Sequence, residues 1–129
     1  MSLKPGPELD RLVAKALGWR KDVWPVISIS PRWVRPGVVN VTLNDLEFSP
    51  PPFSTDPGEA IKALIAFKAK WDSDHKEEGE LGWEVNCYEN CRIFMKRFTP
   101  KEEELAFGVG MTLEGAICRA IVEAAGGER

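Results

Sequence analysis

The chain has 129 residues, of which 43% are hydrophobic and 29% are charged, a composition typical of one globular domain with its own core. Its formal net charge is −3, which argues against a protein that covers much duplex phosphate, because that binding depends on basic charge. No apolar run reaches the roughly 18 residues of a membrane helix, and the N-terminus lacks the apolar core of a secretory signal. We therefore expect a single domain, residues 1–129, in the cytoplasm.

The first predicted element is a helix that begins at Pro7 and ends at Gly18. Proline suits the first helical position, where its missing N–H costs no hydrogen bond, and Glu8 and Asp10 favour the positive end of the helix dipole. Glycine suits the left-handed residue that ends many helices. The apolar residues that recur at helical spacing are Leu9, Leu12, Val13, Ala16 and Leu17.

The next stretch, residues 19–53, is rich in proline and predicts only two short strands. Proline confines strands to the edges and ends of sheets, and Pro36-Gly37 is a natural turn between the two. The residues that indicate the strands are Val26, Ile27 and Ile29 for the first, and Val38, Val39, Val41 and Leu43 for the second.

A second helix is predicted from Pro57 to about Trp71. Asp56 suits the N-cap, and Glu59 completes a capping-box-like pair with it. The predicted buried face contains Ala60, Ile61, Leu64, Ile65 and Lys68, extended by Phe67 and Trp71. The polar residues that follow, 72–82, predict a mobile loop.

A β-hairpin is predicted over residues 83–98, with the turn at Glu89-Asn90. Apolar residues at both odd and even positions of its second strand indicate a strand covered on both faces. Residues 101–104 are charged and predict a linker or short helical turn. Thr112 then caps a last helix, which carries an apolar stripe: Leu113, Ala116, Ile117, Ala120, Ile121 and Ala124. Helices interleaved with short strands predict an α+β domain that packs in layers.

Three segments in order carry a resemblance to a known family. They are Pro7-Glu8-Leu9-Asp10 through Gly18-Trp19, then Pro52-Phe53-Ser54-Thr55-Asp56 before a helix, then Ala116-Ile117-Cys118-Arg119-Ala120. Together they resemble the phage ABA-sandwich domain family, small proteins encoded by phages and prophages. The resemblance implies a small three-layer α-β-α sandwich with about three helices and a short, mainly antiparallel sheet, in the cytoplasm of a bacterial host. It implies no established activity, catalytic residue or cofactor. The proline-rich stretch 19–52 is longer than the pattern expects.

The three cysteines and the single histidine are the residues best suited to chemistry. Cys87, Cys91, Cys118 and His75 contain the ligand types of a zinc site, but the Cys-x3-Cys spacing differs from the commoner pair separated by two residues. A cysteine nucleophile paired with His75 lacks any supporting local motif. We therefore expect reduced thiols, no disulfide, no bound metal, no cofactor and no catalytic site.

An aromatic and basic segment is the candidate binding surface. It consists of Trp19, Arg20, Trp24, Arg32, Trp33 and Arg35. Interleaved tryptophan and arginine suit base stacking with phosphate contact, and both are enriched at protein-interface hot spots. The alternative is that the tryptophans close the core beneath an irregular segment, because large aromatic residues are usually mostly buried.

Three function classes follow from these residues. The first is a non-enzymatic phage or prophage accessory protein that binds another protein or itself, with a homodimer expected over a monomer, since a two-fold contact is the commonest way to hide a shared apolar patch. The second is a single-stranded nucleic-acid binder that uses the Trp/Arg segment, which the negative net charge disfavours. The third is an enzyme of unknown class.

Overall fold

The computed structural model describes residues 4–22, 32–39, 45–47, 49–75, 80–97 and 103–126. Its elements in chain order are α1 (Pro7–Leu17), β1 (Arg20–Asp22), β2 (Arg32–Val34), β3 (Leu46–Glu47), α2 (Pro57–Asp74), β4 (Leu81–Cys87), β5 (Cys91–Arg97), β6 (Glu103–Gly110) and α3 (Leu113–Ala124). Strands β1–β2–β3 form one antiparallel sheet and β4–β5–β6 another. The predicted α+β class, with three helices and short antiparallel strands among the described residues, is confirmed.

Helix α1 begins and ends where its sequence signals place it. Pro7 occupies the first turn, and Gly18 follows the helix with a left-handed φ of 98°. The Gly18 N–H donates to the Lys15 carbonyl at 3.1 Å. A residue with a Cβ would be strained in that conformation, so the glycine is what lets the chain turn away from the helix end.

Helix α2 has the predicted cap but not the full capping box. The Asp56 side chain accepts a hydrogen bond from the Glu59 N–H at 3.2 Å. The Asp56 N–H donates instead to the Pro52 carbonyl at 3.0 Å, and the Glu59 carboxylate pairs with Lys62 at 3.4 Å. The Pro52 carbonyl therefore takes the place that the Glu59 carboxylate would have in a capping box, as the acceptor of the Asp56 N–H.

The buried face of α2 is rotated from the predicted one. Ile61 is 45% exposed and Ile65 60% exposed, so their predicted burial is wrong. The side chains that face α1 and α3 are Ala60, Ala63, Leu64, Phe67 and Trp71. Ala60 and Ala63 are thus buried, while Ile61 and Ile65 lie on the outside.

Residues at both ends of the predicted 72–82 loop belong to regular structure. Helix α2 continues to Asp74 and β4 begins at Leu81, while residues 76–79 lie outside the described part of the chain. The Asp72 Oδ1 accepts a hydrogen bond from the Leu81 N–H at 2.9 Å, and its other oxygen pairs with Lys68. Asp72 thus joins the end of α2 to the start of the second sheet.

Replacing Asp72 with asparagine is expected to lower the free energy of unfolding by about 1 kcal/mol at pH 7. Burial raises the pKa of Asp72, but hydrogen bonds from Lys68 and the Leu81 N–H outweigh it, so the folded-state pKa is lowered. A lowered pKa stabilises the fold above the unfolded value of about 4, and this contribution is lost as the pH falls through the folded value. Urea unfolding at pH 7 and at pH 3 tests this.

The matched control for that substitution is Asp74→Asn. Asp74 pairs with Lys70 on an exposed part of the same helix, and such pairs contribute about 0.5 kcal/mol or less. The difference between Asp72→Asn and the unmodified chain should shrink at low pH. A difference that stays constant or grows would show that the carboxylate charge is not what Asp72 contributes.

The predicted hairpin is confirmed, and a third strand joins it. Strands β4 and β5 pair from Leu81 opposite Arg97 to Cys87 opposite Cys91; Phe98 lies outside the described residues. The prediction that residues 103 and 104 belong to a linker is wrong, because Glu103 begins β6. In the ladder Glu103 lies opposite Arg97 and the next glutamate opposite a lysine. Opposite charges on paired strands are favourable, so Glu104 suits its place opposite Lys96 of β5.

Strand β5 is fully covered on one face only. Ile93 and Met95 are buried on the face that packs against α3. On the other face Phe94 is half-buried and meets Phe107 of β6 with ring centroids 4.9 Å apart. The predicted coverage of both faces therefore does not hold for the described residues.

Most of the two strands predicted in the proline-rich stretch lies outside the part of the chain that the structure describes. Residues 26–29 and 41–43 lie outside the described residues. Val38 and Val39 are described but belong to no strand, and Val39 is 85% exposed. The predicted Pro36-Gly37 turn is present, with Gly37 at a φ of 85°. The strands that the structure describes within this stretch are β1, β2 and β3, and β2 buries Trp33 and Val34.

Helices and sheets pack in layers around α3. Helix α3 lies across β5 and β6, and both α1 and α2 pack against α3. Strand β6 approaches α3 closely at Gly108, where an added Cβ would lie 2.1 Å from the Ala116 carbonyl oxygen. Among the described residues, no helix combines the length and the apolar character needed to cross a membrane.

Candidate functional site

An open, mostly apolar groove of about 690 Å³ lies between the end of α1, the outer side of α2 and the turn after β2. We call it the Trp19 groove. Its apolar lining includes Leu17, Trp19, Pro36, Pro51, Phe53, Ala63, Ala66 and Ala69. The volume falls in the range of ligand-binding clefts. The groove is therefore the principal candidate site in the described part of the chain.

Local structure explains why the groove is there. Gly18 turns the chain away from α1 and lies beside Pro36, which an added Cβ would contact at 3.7 Å. The Trp19 N–H donates to the Ala14 carbonyl at 2.9 Å, which holds the backbone of this tryptophan at the groove wall. Helix α2 forms the floor with alanines, and Ala66 and Ala69 are exposed. Short side chains on the floor leave the space that larger ones would fill.

The charged residues at the rim of the Trp19 groove have acidic or basic partners. Lys62 pairs with Glu59 at 3.4 Å, and Lys70 pairs with Asp74 at 3.2 Å. Pairs this exposed contribute little to stability, but they offset one another's charge locally. What the groove offers a ligand is mainly apolar surface.

The two predicted tryptophans that the structure describes, Trp19 and Trp33, do not share a surface. Trp19 is half-buried at the wall of the Trp19 groove. Trp33 is only 4% exposed and belongs to the core, with the Lys21 ammonium 5.2 Å from its ring centroid. Trp24 lies outside the described residues. For Trp33 the alternative interpretation holds, since it closes the core beneath the small first sheet.

Two of the predicted arginines, Arg20 and Arg35, contact the first sheet and the residues beside it. Arg20 donates from a guanidinium nitrogen to the Val38 carbonyl at 2.8 Å. Arg35 lies 3.6 Å from Asp45 and 3.7 Å from Glu47. Arg32 begins β2 and is half-buried. A phosphate at Arg35 would have to compete with two carboxylates that the fold already places there.

The residues with the ligand types of a zinc site are spread over the fold. Cys118 is buried in α3, where burial, with smaller contributions from nearby carboxylates, raises its pKa to about 12. His75 ends α2 and stacks on Trp71 with ring centroids 4.1 Å apart. Cys87 and Cys91 meet at the end of the hairpin. Within the described ranges, no group of three or more histidine, cysteine, aspartate or glutamate side chains is placed so that it could hold one metal ion.

Sequence reasoning found one wall of the groove and missed its floor. Trp19 was predicted as a surface residue, and it lines the groove. The alanines of α2 gave a usable signal, because Ala63, Ala66 and Ala69 recur every three residues and so share one side of a helix. That side was not predicted as a site because the isoleucine spacing suggested a different buried face.

Comparison with known proteins indicates no function for this chain, so a proposal has to start from the geometry of the groove. No protein-family model matches the chain, and comparison with curated proteins and with solved structures gave no match. The resemblance to the phage ABA-sandwich domain family therefore stays a prediction from the three sequence segments that carry it.

Proposed function

We propose that this is a non-enzymatic accessory protein that acts through protein–protein binding, with the Trp19 groove as the binding surface. The observation that carries the proposal is the open apolar groove of about 690 Å³ on the outside of the fold. Small molecules are usually enclosed over most of their surface, whereas open apolar grooves suit side chains presented by another protein. Trp19 at the groove wall is the type of residue that forms interface hot spots.

The occupant we propose is a second copy of the chain. Helix α2, which forms the groove floor, also exposes Ile61 and Ile65 on its flank. These side chains are the kind of apolar group that the groove would take. In a two-fold dimer, the isoleucines of each copy would enter the groove of the other, so that both grooves and both pairs of isoleucines are covered. The two-fold dimer is the commonest oligomeric arrangement.

The positions of Trp33 and Arg35 make single-stranded nucleic acid the weaker candidate for a partner. Stacking surfaces for single strands need exposed aromatic faces beside free basic groups. Trp33 is buried, and Arg35 lies against Asp45 and Glu47. The overall charge of −3 adds to this argument. The phage or prophage setting, and with it the cytoplasm of a bacterial host, is part of the proposal on the strength of the three sequence segments described above.

Replacing Ala66 with arginine is the test of the groove. Ala66 is exposed, so the substitution leaves the core intact while filling the floor with a charged side chain. We expect light scattering coupled to size-exclusion chromatography to give about twice the 14.4 kDa chain mass for the unmodified protein. For Ala66→Arg we expect the monomer mass and at least about a tenfold loss of dimer affinity, equivalent to 1.4 kcal/mol.

The control carries the same substitution outside the groove. Ala125 is exposed after the end of α3, and Ala125→Arg should remain dimeric. Ile65→Ser should weaken the dimer as Ala66→Arg does, because the proposed contact includes that flank of α2. An unmodified protein that is monomeric at all concentrations would overturn the proposal, as would an Ala66→Arg dimer of unchanged affinity.

A further inference from the structure

A pair of thiols closes the end of the β4–β5 hairpin. Cys87 is the last residue of β4, Cys91 is the first residue of β5, and the two are direct partners in the ladder. The two Sγ atoms lie 2.6 Å apart, well inside the van der Waals contact distance of two sulfur atoms. Cys87 is exposed and Cys91 half-buried, so a small reagent in solvent can reach the pair.

The ladder register places these residues at a separation that a disulfide accepts. Directly opposite residues in an antiparallel pair have Cα atoms about 4.5 to 5.5 Å apart, which falls inside the range found for disulfides. The paired strands hold both cysteines there whether or not the sulfurs are bonded. Joining Cys87 to Cys91 therefore requires no rearrangement of the backbone.

The reactivity of the three cysteine sulfurs differs because their surroundings differ. The hydrogen bond shared with Cys87, in which Cys91 keeps its proton, followed by burial and nearby negative charge, raises the pKa of Cys91. Cys91 is therefore the poorer first nucleophile, and the exposed Cys87 is the sulfur from which attack begins. Cys118 is buried with a pKa of about 12, so it does not compete.

We propose that Cys87 and Cys91 form a reversible dithiol–disulfide site that reacts with a low-molecular-weight disulfide of the glutathione class. The Cys87 thiolate attacks one sulfur of the small disulfide, breaks its S–S bond and releases one thiolate, which takes up a proton. Cys91 then loses its proton and attacks the Cys87 sulfur of the mixed disulfide, releasing the second small thiol. The protein gives up two electrons and two protons, and the small disulfide becomes two thiols.

This inference adds a second state to the reduced thiols expected from the sequence. The three cysteines are free thiols in the described structure. An exposed disulfide of this kind is readily reduced again, because a small thiol reaches it as easily as the small disulfide does. The site is separate from the Trp19 groove and does not depend on the function proposed for it.

Trypsin digestion of the full chain provides the test, because cleavage places the pair in peptide 77–92 and Cys118 in peptide 102–119. The protein is incubated with an excess of oxidised glutathione, then alkylated under denaturing conditions and analysed by mass spectrometry. We expect peptide 77–92 to lose two hydrogens and to take no alkyl group. Peptide 102–119 should still take one. Reduced glutathione should restore two alkylation sites to the first peptide.

Single serine variants test the order of attack. Cys91→Ser should accumulate one stable glutathione adduct on Cys87, because the second nucleophile is gone. Cys87→Ser should form its adduct at the half-buried Cys91 about tenfold more slowly than Cys91→Ser forms one at the exposed Cys87. Equal or reversed rates would overturn the order. A peptide 77–92 that keeps both thiols, carries two glutathiones or links to a second chain would overturn the site itself.

Discussion

Replacing Gly108 with alanine is expected to lower the free energy of unfolding by about 3 kcal/mol or more. Strand β6 crosses α3 so closely at this point that an added Cβ would lie 2.1 Å from the Ala116 carbonyl oxygen and 2.6 Å from the Ala120 nitrogen. Both are backbone atoms inside a helix, which cannot move aside as the end of a flexible side chain can. The helix and the sheet would have to separate.

The matched control is the same substitution at Gly58. This glycine lies in the first turn of α2, and its added Cβ would approach only the Asp56 carboxylate, at 3.2 Å. Alanine is the better helix former, so we expect a change within about 0.5 kcal/mol. Urea unfolding followed by circular dichroism measures both variants. A Gly108→Ala protein within about 1 kcal/mol of the unmodified chain would contradict the close contact between β6 and α3.

The three helices could be predicted because their signals are local. A helix start is encoded within four residues by its cap, and the structure shows this at Thr112, whose hydroxyl oxygen accepts the Gly115 N–H at 3.2 Å. Pro7 and Asp56 mark the other two starts in the same way. The rotation of α2 was wrong, because it depends on which side chains fit against α1 and α3, and the helix continues three residues beyond its predicted end, to Asp74.

The strands that were missed depend on contacts distant in sequence. Strand β1 is Arg20–Asp22 and contains only charged residues, so nothing in its own pattern indicates a strand. Strand β6 begins with two glutamates and contains Gly108 and Gly110, and glycine is depleted in strands. Its glutamates lie opposite basic residues of β5, and Gly108 permits contact with α3. Both reasons become visible only once the partner elements are in place.

The groove was only half predictable for the same physical reason. Trp19 is conspicuous in the sequence, but a cavity is formed by segments that are far apart along the chain. Pro36, Pro51 and Ala66 reach the same groove from three of them. The role of Arg35 was equally hidden, because its acidic partners come from the region of β3. A pattern of tryptophan and arginine therefore could not distinguish a nucleic-acid surface from a folded sheet.

Asp10 and Ser54 form a buried link between α1 and the turn that precedes α2. The Asp10 carboxylate accepts a hydrogen bond from the Ser54 N–H at 2.7 Å. The Ser54 hydroxyl accepts from the Gly6 N–H at 2.8 Å and donates to the Gly6 carbonyl at 3.2 Å. Asp10 is 8% exposed and Ser54 1% exposed. Water therefore cannot readily replace a partner that is removed.

Replacing Asp10 with alanine is therefore expected to lower the free energy of unfolding by about 2 to 3 kcal/mol, because it leaves the buried Ser54 N–H without its acceptor. Asp10→Asn keeps an acceptor oxygen and should lose about half as much, since only the charge is removed. Glu8→Ala is the control: Glu8 is an exposed acid of the same helical turn, and losing its favourable interaction with the helix dipole costs about 0.5 kcal/mol. Urea unfolding at pH 7 ranks the three variants. Equal losses for Asp10→Ala and Glu8→Ala would mean that Asp10 acts only through the helix dipole, and that the link to Ser54 does not hold α1 to the rest of the fold.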